Sequence, residues 1–375
     1  MKNISLFLFI KAREPGLLSI TDGMFKSLVT VFGGTRIIDY YMTPSVLFKN
    51  IRVFVFTERG STLKDYLVYT YNTGRIKIID ESDIFGALSR IAGGRKRGGF
   101  LFLQADGVLV ADWAEIIGKL DTLSEGKYVF IAGGGRQFGF YISDGMVDPD
   151  AIVPVGKSTV QGDVDRAWET VSGHFTAGAK AIHFNARYLP LETVNEYFNT
   201  HIRLLDSLKE SIRFFAAPGP AKKDESTTHI GNGGFVRNSH ISSSCLIEGM
   251  VDHSVLFPGV RVGKGARIVN SIVMENNNIG EDAVVRNAIL CGNNELFSKV
   301  APNIGEKAVI GEDDTSGSNS EYPEYLRNGI TLIGRNVEIP RKLRISRNCY
   351  IASNVDRAVL RGKGHIPAGS YVHAE

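Results

Sequence analysis

The sequence predicts two domains of different architecture, a mostly parallel α/β sheet covered by helices over residues 1–215 and a left-handed parallel β-helix of hexapeptide repeats over 229–375, joined by a linker at 216–228. Three observations carry the prediction. The first 215 residues alternate short apolar runs with helical stretches, the pattern of strands buried on both faces. Residues 216–226 read AAPGPAKKDES, which has almost no large apolar side chain and two prolines, so it cannot pack a core. Beyond this stretch the sequence repeats itself with a period near seventeen or eighteen residues.

In the first domain the β-rich runs predict strands over Ser5–Ile10, Ile51–Phe56, Ile76–Ile79, Phe100–Gln104, Tyr128–Ala132, Phe138–Ile142 and Lys180–Phe184. Helices are predicted over Asp39–Phe48, Ser61–Tyr69, Asp112–Leu120 and Leu191–Phe215; in the last, Val194, Tyr197, Phe198, Ile202, Leu205 and Leu208 recur at helical spacing. The opening apolar run Ile4–Ile10 is shorter than a membrane span or a signal-peptide core, and reads as a first buried strand.

The repeat is explicit when Ser254–Asn270 is set over Ser271–Asn287: Ser254, Gly263, Ala266 and Asn270 recur as Ser271, Gly280, Ala283 and Asn287, and aliphatics coincide at 255/272, 256/273, 262/279 and 268/285. Later the beat becomes strictly six, with Ile333, Ile339, Ile345 and Ile351. Each aliphatic is expected to point into a narrow interior while Gly, Asn and Ser take corners where φ is positive, and each coil buries its apolar row by stacking on the next. The acidic, Ser/Gly-rich stretch Glu312–Tyr325 is expected to loop out of the coil stack.

Bulk properties narrow the function classes. With 375 residues, 43% hydrophobic and 22% charged, and a formal net charge of +3, the chain has the composition of a soluble globular protein. The longest basic tract is the triplet Arg95-Lys96-Arg97, so no nucleic-acid partner and no membrane is expected. Cys245, Cys291 and Cys349 lie far apart and in no metal or redox spacing, which suits reduced, buried thiols in a cytoplasmic protein.

Particular segments now resemble a known family, the bacterial glucose-1-phosphate adenylyltransferases. Phe32-Gly-Gly-Thr-Arg-Ile-Ile-Asp-Tyr40 is similar to that family's FGG(x)xRIIDF segment, one residue shorter; Tyr188–Asp206 is similar to the segment that follows its KDVGT motif; Ser254–Gly263 resembles its repeat domain. The resemblance implies a nucleotidyltransferase-like first domain, a β-helix second domain and a role in glycogen biosynthesis. It also implies a glycine-rich loop, GGxGTRLxPLT, after the first strand, where bare backbone donates N–H groups to nucleotide phosphates. Lys11-Ala-Arg-Glu-Pro-Gly-Leu-Leu18 stands there instead, with one glycine, a φ-locked proline and a carboxylate that repels a triphosphate.

The family's magnesium is held by acidic ligands from two places. Asp106, after the strand Phe100–Gln104, matches the first, and as a catalytic and metal residue it is the candidate the resemblance supplies; its bland reading is a strand-end turn residue. The second, in KDVGT, has no counterpart in Asn185–Pro190, so Mg²⁺ is expected only with residual activity. The FxEKP segment is not recognisable, and Lys157 in roughly that stretch reads as a surface lysine. Ala12–Thr21 resembles the N-terminus of the family's catalytically weak, GlgD-type regulatory subunits. By the same resemblance Arg36 takes the position of an arginine that holds phosphorylated sugar effectors, with Lys26 roughly aligned to a family lysine; the competing reading of Arg36 is a structural ion pair with Asp39.

Three functions follow as expectations. The first is a regulatory subunit with weak or absent catalysis, in a tetramer with a catalytic subunit or with itself. The second is an active nucleotidyltransferase making ADP-glucose from ATP and glucose 1-phosphate, with Gly93-Gly94-Arg95 or Gly133-Gly134-Gly135-Arg136 as a substitute phosphate cradle. The third is an acyltransferase in the β-helix using His229, His240 or His253.

Overall fold

Every position of Ile4–Phe9 (β1) is apolar or small, which leaves no face for water, and the strand accordingly lies inside a sheet with all six residues buried. The computed structural model describes residues 2–10, 14–22, 24, 26–32, 34–57, 61–71, 74–79, 84–93, 98–143, 164–206, 227–293, 301–312 and 317–374. In chain order the first domain continues with α1 (Ile37–Leu47), β2 (Ile51–Phe56), α2 (Ser61–Tyr71), β3 (Ile76–Ile79), α3 (Ile84–Gly93), β4 (Gly99–Gln104), β5 (Val108–Val110) and α4 (Trp113–Thr122). It closes with β6 (Lys127–Ile131), β7 (Gln137–Ser143), α5 (Val164–Thr176), β8 (Lys180–His183), β9 (Arg187–Leu189) and α6 (Val194–Leu205).

Seven strands form the main sheet in the order β8-β6-β7-β4-β1-β2-β3. All neighbours are parallel except β7, which runs antiparallel to both β4 and β6. One face is aromatic: Phe7 stacks on Phe102 at 4.9 Å, Phe102 on Phe140 at 4.5 Å, and Phe175 of α5 covers them. The other is aliphatic, with Leu6, Leu8, Leu101 and Leu103 under α1, α4 and α6.

The seven predicted strands are all present, while α3, α5 and the small antiparallel pair β5/β9 were not foreseen. In α5 the signal was there, since Val164, Ala167, Val171 and Phe175 recur at helical spacing and are buried, but they are four apolar residues in a polar stretch. A correction applies to the last helix. Expected from Leu191 to Phe215, it starts at Val194, capped by the Thr193 hydroxyl, and is described to Leu205, after which the Asp206 N–H bonds the carbonyls of Arg203 and Leu204; residues 207–215 of the expected span lie outside the described residues.

From His229 onward the chain winds into a parallel β-helix with three faces. The register is the one the repeat dictates: Val255 pairs with Ile272, Val262 with Ile279 and Ile268 with Val285. The six-residue beat is the step from face to face, so Ile333 and Ile351 pair on one face, Ile345 lies on the second and Ile339 on the third, bridged to Ile304. One corner is a column of left-handed residues, Asn238, His253, Asn270 and Asn287, with φ between +44° and +47°. Asn270 Nδ2 donates to Asn287 Oδ1 at 2.6 Å, tying adjacent coils. Of the stretch after Glu312, residues 313–316 lie outside the described residues and 317–325 form no coil strand; Tyr322 there sets its ring edge-on to Tyr350 and Tyr371 of the coils.

The two domains share one core. Tyr197, Ile202 and Leu204 of α6 belong to the same buried cluster as Val255, Phe257, Ile272, Met274 and Leu332 of the β-helix. At the exit of α6 the Asp206 carboxylate lies 2.9 Å from His253 Nε2.

Candidate functional site

The segment after β1 decides whether a phosphate cradle exists. Lys11–Arg13 lie outside the described residues, but Pro15–Ile20 forms a 3-10 turn, broken at Leu18 with φ +47°, and Leu17 and Ile20 are fully buried. The turn is docked against α6 and the β-helix. A Cβ on Gly16 would lie 2.3 Å from the Glu192 carbonyl oxygen, so the backbone approaches as closely as glycine permits. Ser19 Oγ is 2.7 Å from Tyr350 OH and accepts from Ser353 Oγ at 3.0 Å, and Arg335 Nη2 donates to the Ile20 carbonyl at 3.3 Å. Glu14 forms an ion pair with the fully buried Lys26 at 3.3 Å.

Asp106 lies just past the C-terminal end of β4, where ligands meet open α/β sheets. It lines a cleft of about 290 Å³ with Gln104, Arg136, Gln137, Phe138, Trp168, Ser172 and Tyr188. The turn Gly133–Gly135 carries Arg136 to this cleft, so the structure brings together two features that the sequence left apart. Tyr188, on β9 opposite Leu109 of β5, donates its hydroxyl to Asp106 Oδ1. The Arg136 guanidinium lies over the Tyr188 ring, 5.0 Å from its centre. Burial, and then the Asp106 charge, push the Tyr188 phenol well above its ordinary pKa, which keeps it a donor.

These residues do not fit a magnesium ion. Among the described residues Asp106 is the one carboxylate lining the cleft, and its Oδ1 already accepts from a phenol. Among the described residues no three His, Cys, Asp or Glu side chains gather as a metal site.

Arg36 and Lys26 face different partners, Lys26 the Glu14 carboxylate and Arg36 the Tyr66 ring. The Arg36 guanidinium lies 4.5 Å from the centre of the Tyr66 ring, and its Nη1 donates to the Leu28 carbonyl at 3.3 Å. Asp39 accepts the Arg36 backbone N–H at 2.8 Å and the hydroxyls of Tyr66 and Tyr71 at 2.8 and 2.6 Å, a helix-capping role. Behind the short antiparallel hairpin of Thr30–Val31 and Thr35–Arg36 sits His201, fully buried, with Nε2 accepting from the Phe32 N–H at 3.1 Å and Nδ1 donating to the Tyr197 carbonyl at 2.7 Å. Sequence reasoning missed Tyr188 and His201; Tyr188 lies within the segment aligned to a family motif, and His201 faces inward at helical spacing from Tyr197.

Of the β-helix histidines, His253 is held by Asp206 and Asn270, His240 is driven by burial down to a pKa of about 4, and His229 is exposed. Lys157, Gly94 and the triplet Arg95-Lys96-Arg97 lie outside the described residues. Among the described residues no helix is long and apolar enough to cross a membrane.

Residues 219–333 match the family model described as GlmU-like, C-terminal hexapeptide. A glucose-1-phosphate adenylyltransferase of Acetivibrio thermocellus is 31% identical over 181 residues, covering 46% of this chain and 38% of that protein. The chain is similar to glucose-1-phosphate adenylyltransferases. Two more relatives of that name, from Desulfitobacterium hafniense and Fervidobacterium nodosum, are 28% identical over 166 residues and 24% over 204, covering 44% and 52% of this chain and 38% and 45% of their own lengths. The chain thus spans less than half the length of these adenylyltransferases, and the hexapeptide match takes in its β-helix as far as Ile333.

Proposed function

We propose that the chain is a regulatory subunit of a glucose-1-phosphate adenylyltransferase in glycogen biosynthesis, with weak or absent catalysis of its own. It acts in the cytoplasm, in a tetramer with a catalytic subunit or with copies of itself. The observation that carries this is the docked turn Pro15–Ile20: where a catalytic relative needs mobile, bare amides for nucleotide phosphates, this chain has backbone buried against the β-helix and a carboxylate, Glu14, in front of it. The Arg36 guanidinium supplies the side chain for a sugar-phosphate effector, while Lys26, fully buried and turned to Glu14, is out of an effector's reach.

Purified full-length chain, given ATP, glucose 1-phosphate and Mg²⁺, is expected to form ADP-glucose at least about a hundredfold more slowly than a catalytic relative, the loss that missing phosphate-facing donors brings. Ordinary family rates from the isolated chain would sink the proposal. One observation favours the alternative, an active sugar-1-phosphate nucleotidyltransferase: Asp106 and Arg136, which follows the Gly133–Gly135 turn, line one cleft. The same assay decides between them.

A further inference from the structure

Resting on that reading, we infer that Tyr188 is a built-in stopper of the Asp106 site, and that Arg136 takes over the charge-balancing part a divalent cation would otherwise play there. Asp106 Oδ1 accepts the Tyr188 hydroxyl, and Tyr188 is the partner the described residues give this carboxylate. The phenol is not free to swing away. Its strand β9 is registered against β5 by three pairs, Arg187 with Val110, Tyr188 with Leu109 and Leu189 with Val108. Residue 107 is glycine, and a Cβ there would lie 2.9 Å from the Tyr188 hydroxyl and 2.4 Å from the Leu189 carbonyl, so the turn after Asp106 is shaped to receive this ring. From the other side Tyr41 donates its hydroxyl to the Gly107 carbonyl at 2.9 Å, fixing the same turn from the core.

The electrostatics point the same way. A carboxylate in a partly buried cleft needs a positive neighbour or strong donors. Here the donor is the phenol, and the positive charge is the Arg136 guanidinium stacked over the phenol's ring, within the same cleft as Asp106. An ion entering between Asp106 and Tyr188 would have to break the phenol bond, with no second carboxylate among the described residues of the cleft lining to repay it. The cleft therefore excludes a divalent cation by its own side chains.

The test is titration of the full chain with Mn²⁺ alone, followed by the free-ion electron paramagnetic resonance signal, in wild type, Asp106→Asn, Tyr188→Phe and the double variant, each checked for native circular dichroism. Wild type and Asp106→Asn are expected to bind Mn²⁺ alike. Tyr188→Phe should gain a weak site, at least about fivefold above wild type, that the double variant loses. A stoichiometric wild-type site abolished by Asp106→Asn would overturn the inference, and so would a folded Tyr188→Phe that gains nothing. Failure here is separable from failure of the regulatory reading. An inactive chain that holds Mn²⁺ through Asp106 sinks the stopper alone, whereas an active chain without Asp106-dependent Mn²⁺ sinks the regulatory reading alone.

Discussion

His201 shows how one buried side chain couples the site to pH. Both ring nitrogens are committed, to the Phe32 N–H and the Tyr197 carbonyl, and burial lowers its pKa to about 4. The unfolded chain's histidine titrates near 6.5, so between these values the unfolded state binds the proton and the folded state refuses it. Stability is therefore full above about pH 6.5 and falls as the pH drops toward about 4, by roughly 3 kcal/mol for this residue. His240, also lowered to about 4 by burial, adds in the same direction. Thermal midpoints measured from pH 7.5 down to 4.5 should fall steadily, and His201→Gln should flatten the fall by about half. A wild-type profile that stays level across this window contradicts the assignment.

At the scale of elements, the β-helix tolerates irregular coils because its corners and bulges are glycine, asparagine or a few strained residues. The clearest case is Gly311, in the strand Val309–Glu312, where the pairing to Arg344–Ser346 slips register. Its φ is +77°, and a Cβ would fall 1.8 Å from the Arg286 carbonyl oxygen. Gly311→Ala is expected to cost about 3 kcal/mol, through forced separation of two coils and left-handed strain. The urea midpoint reads this directly, and a change below about 0.5 kcal/mol would show that the coils separate freely there.

Over the whole molecule, the continuous core between α6 and the β-helix predicts that the two domains unfold together. Both tryptophans, Trp113 and Trp168, lie in the first domain, while strands are spread over both domains, so fluorescence reads the first domain and circular dichroism reads both. Tyr350→Ala, in the β-helix, removes a ring buried against Tyr322 and Tyr371 and the bond to Ser19, at a cost of about 3 kcal/mol. Tryptophan fluorescence and far-ultraviolet circular dichroism should shift to the same lower midpoint. Two separate transitions, with only the circular dichroism displaced, would mean that the junction does not transmit stability.

What the sequence determined by itself was whatever is written in local periodicity. The aliphatic beat set the coil register, pairing Val255 with Ile272, because a side chain in a parallel coil meets only its equivalent one turn away. The apolar runs likewise placed β1, β2 and β4 in the sheet's interior. The sequence offered Asp106 and Arg36 as candidates, and could not say what would stand beside them. Tertiary structure decided that Tyr188 sits on Asp106, 82 residues away, that Lys26 turns inward to Glu14, and that the turn after β1 is held by Tyr350, 331 residues beyond Ser19. Those contacts depend on which strand pairs with which and on how two domains close over one core, and neither leaves a period in the chain.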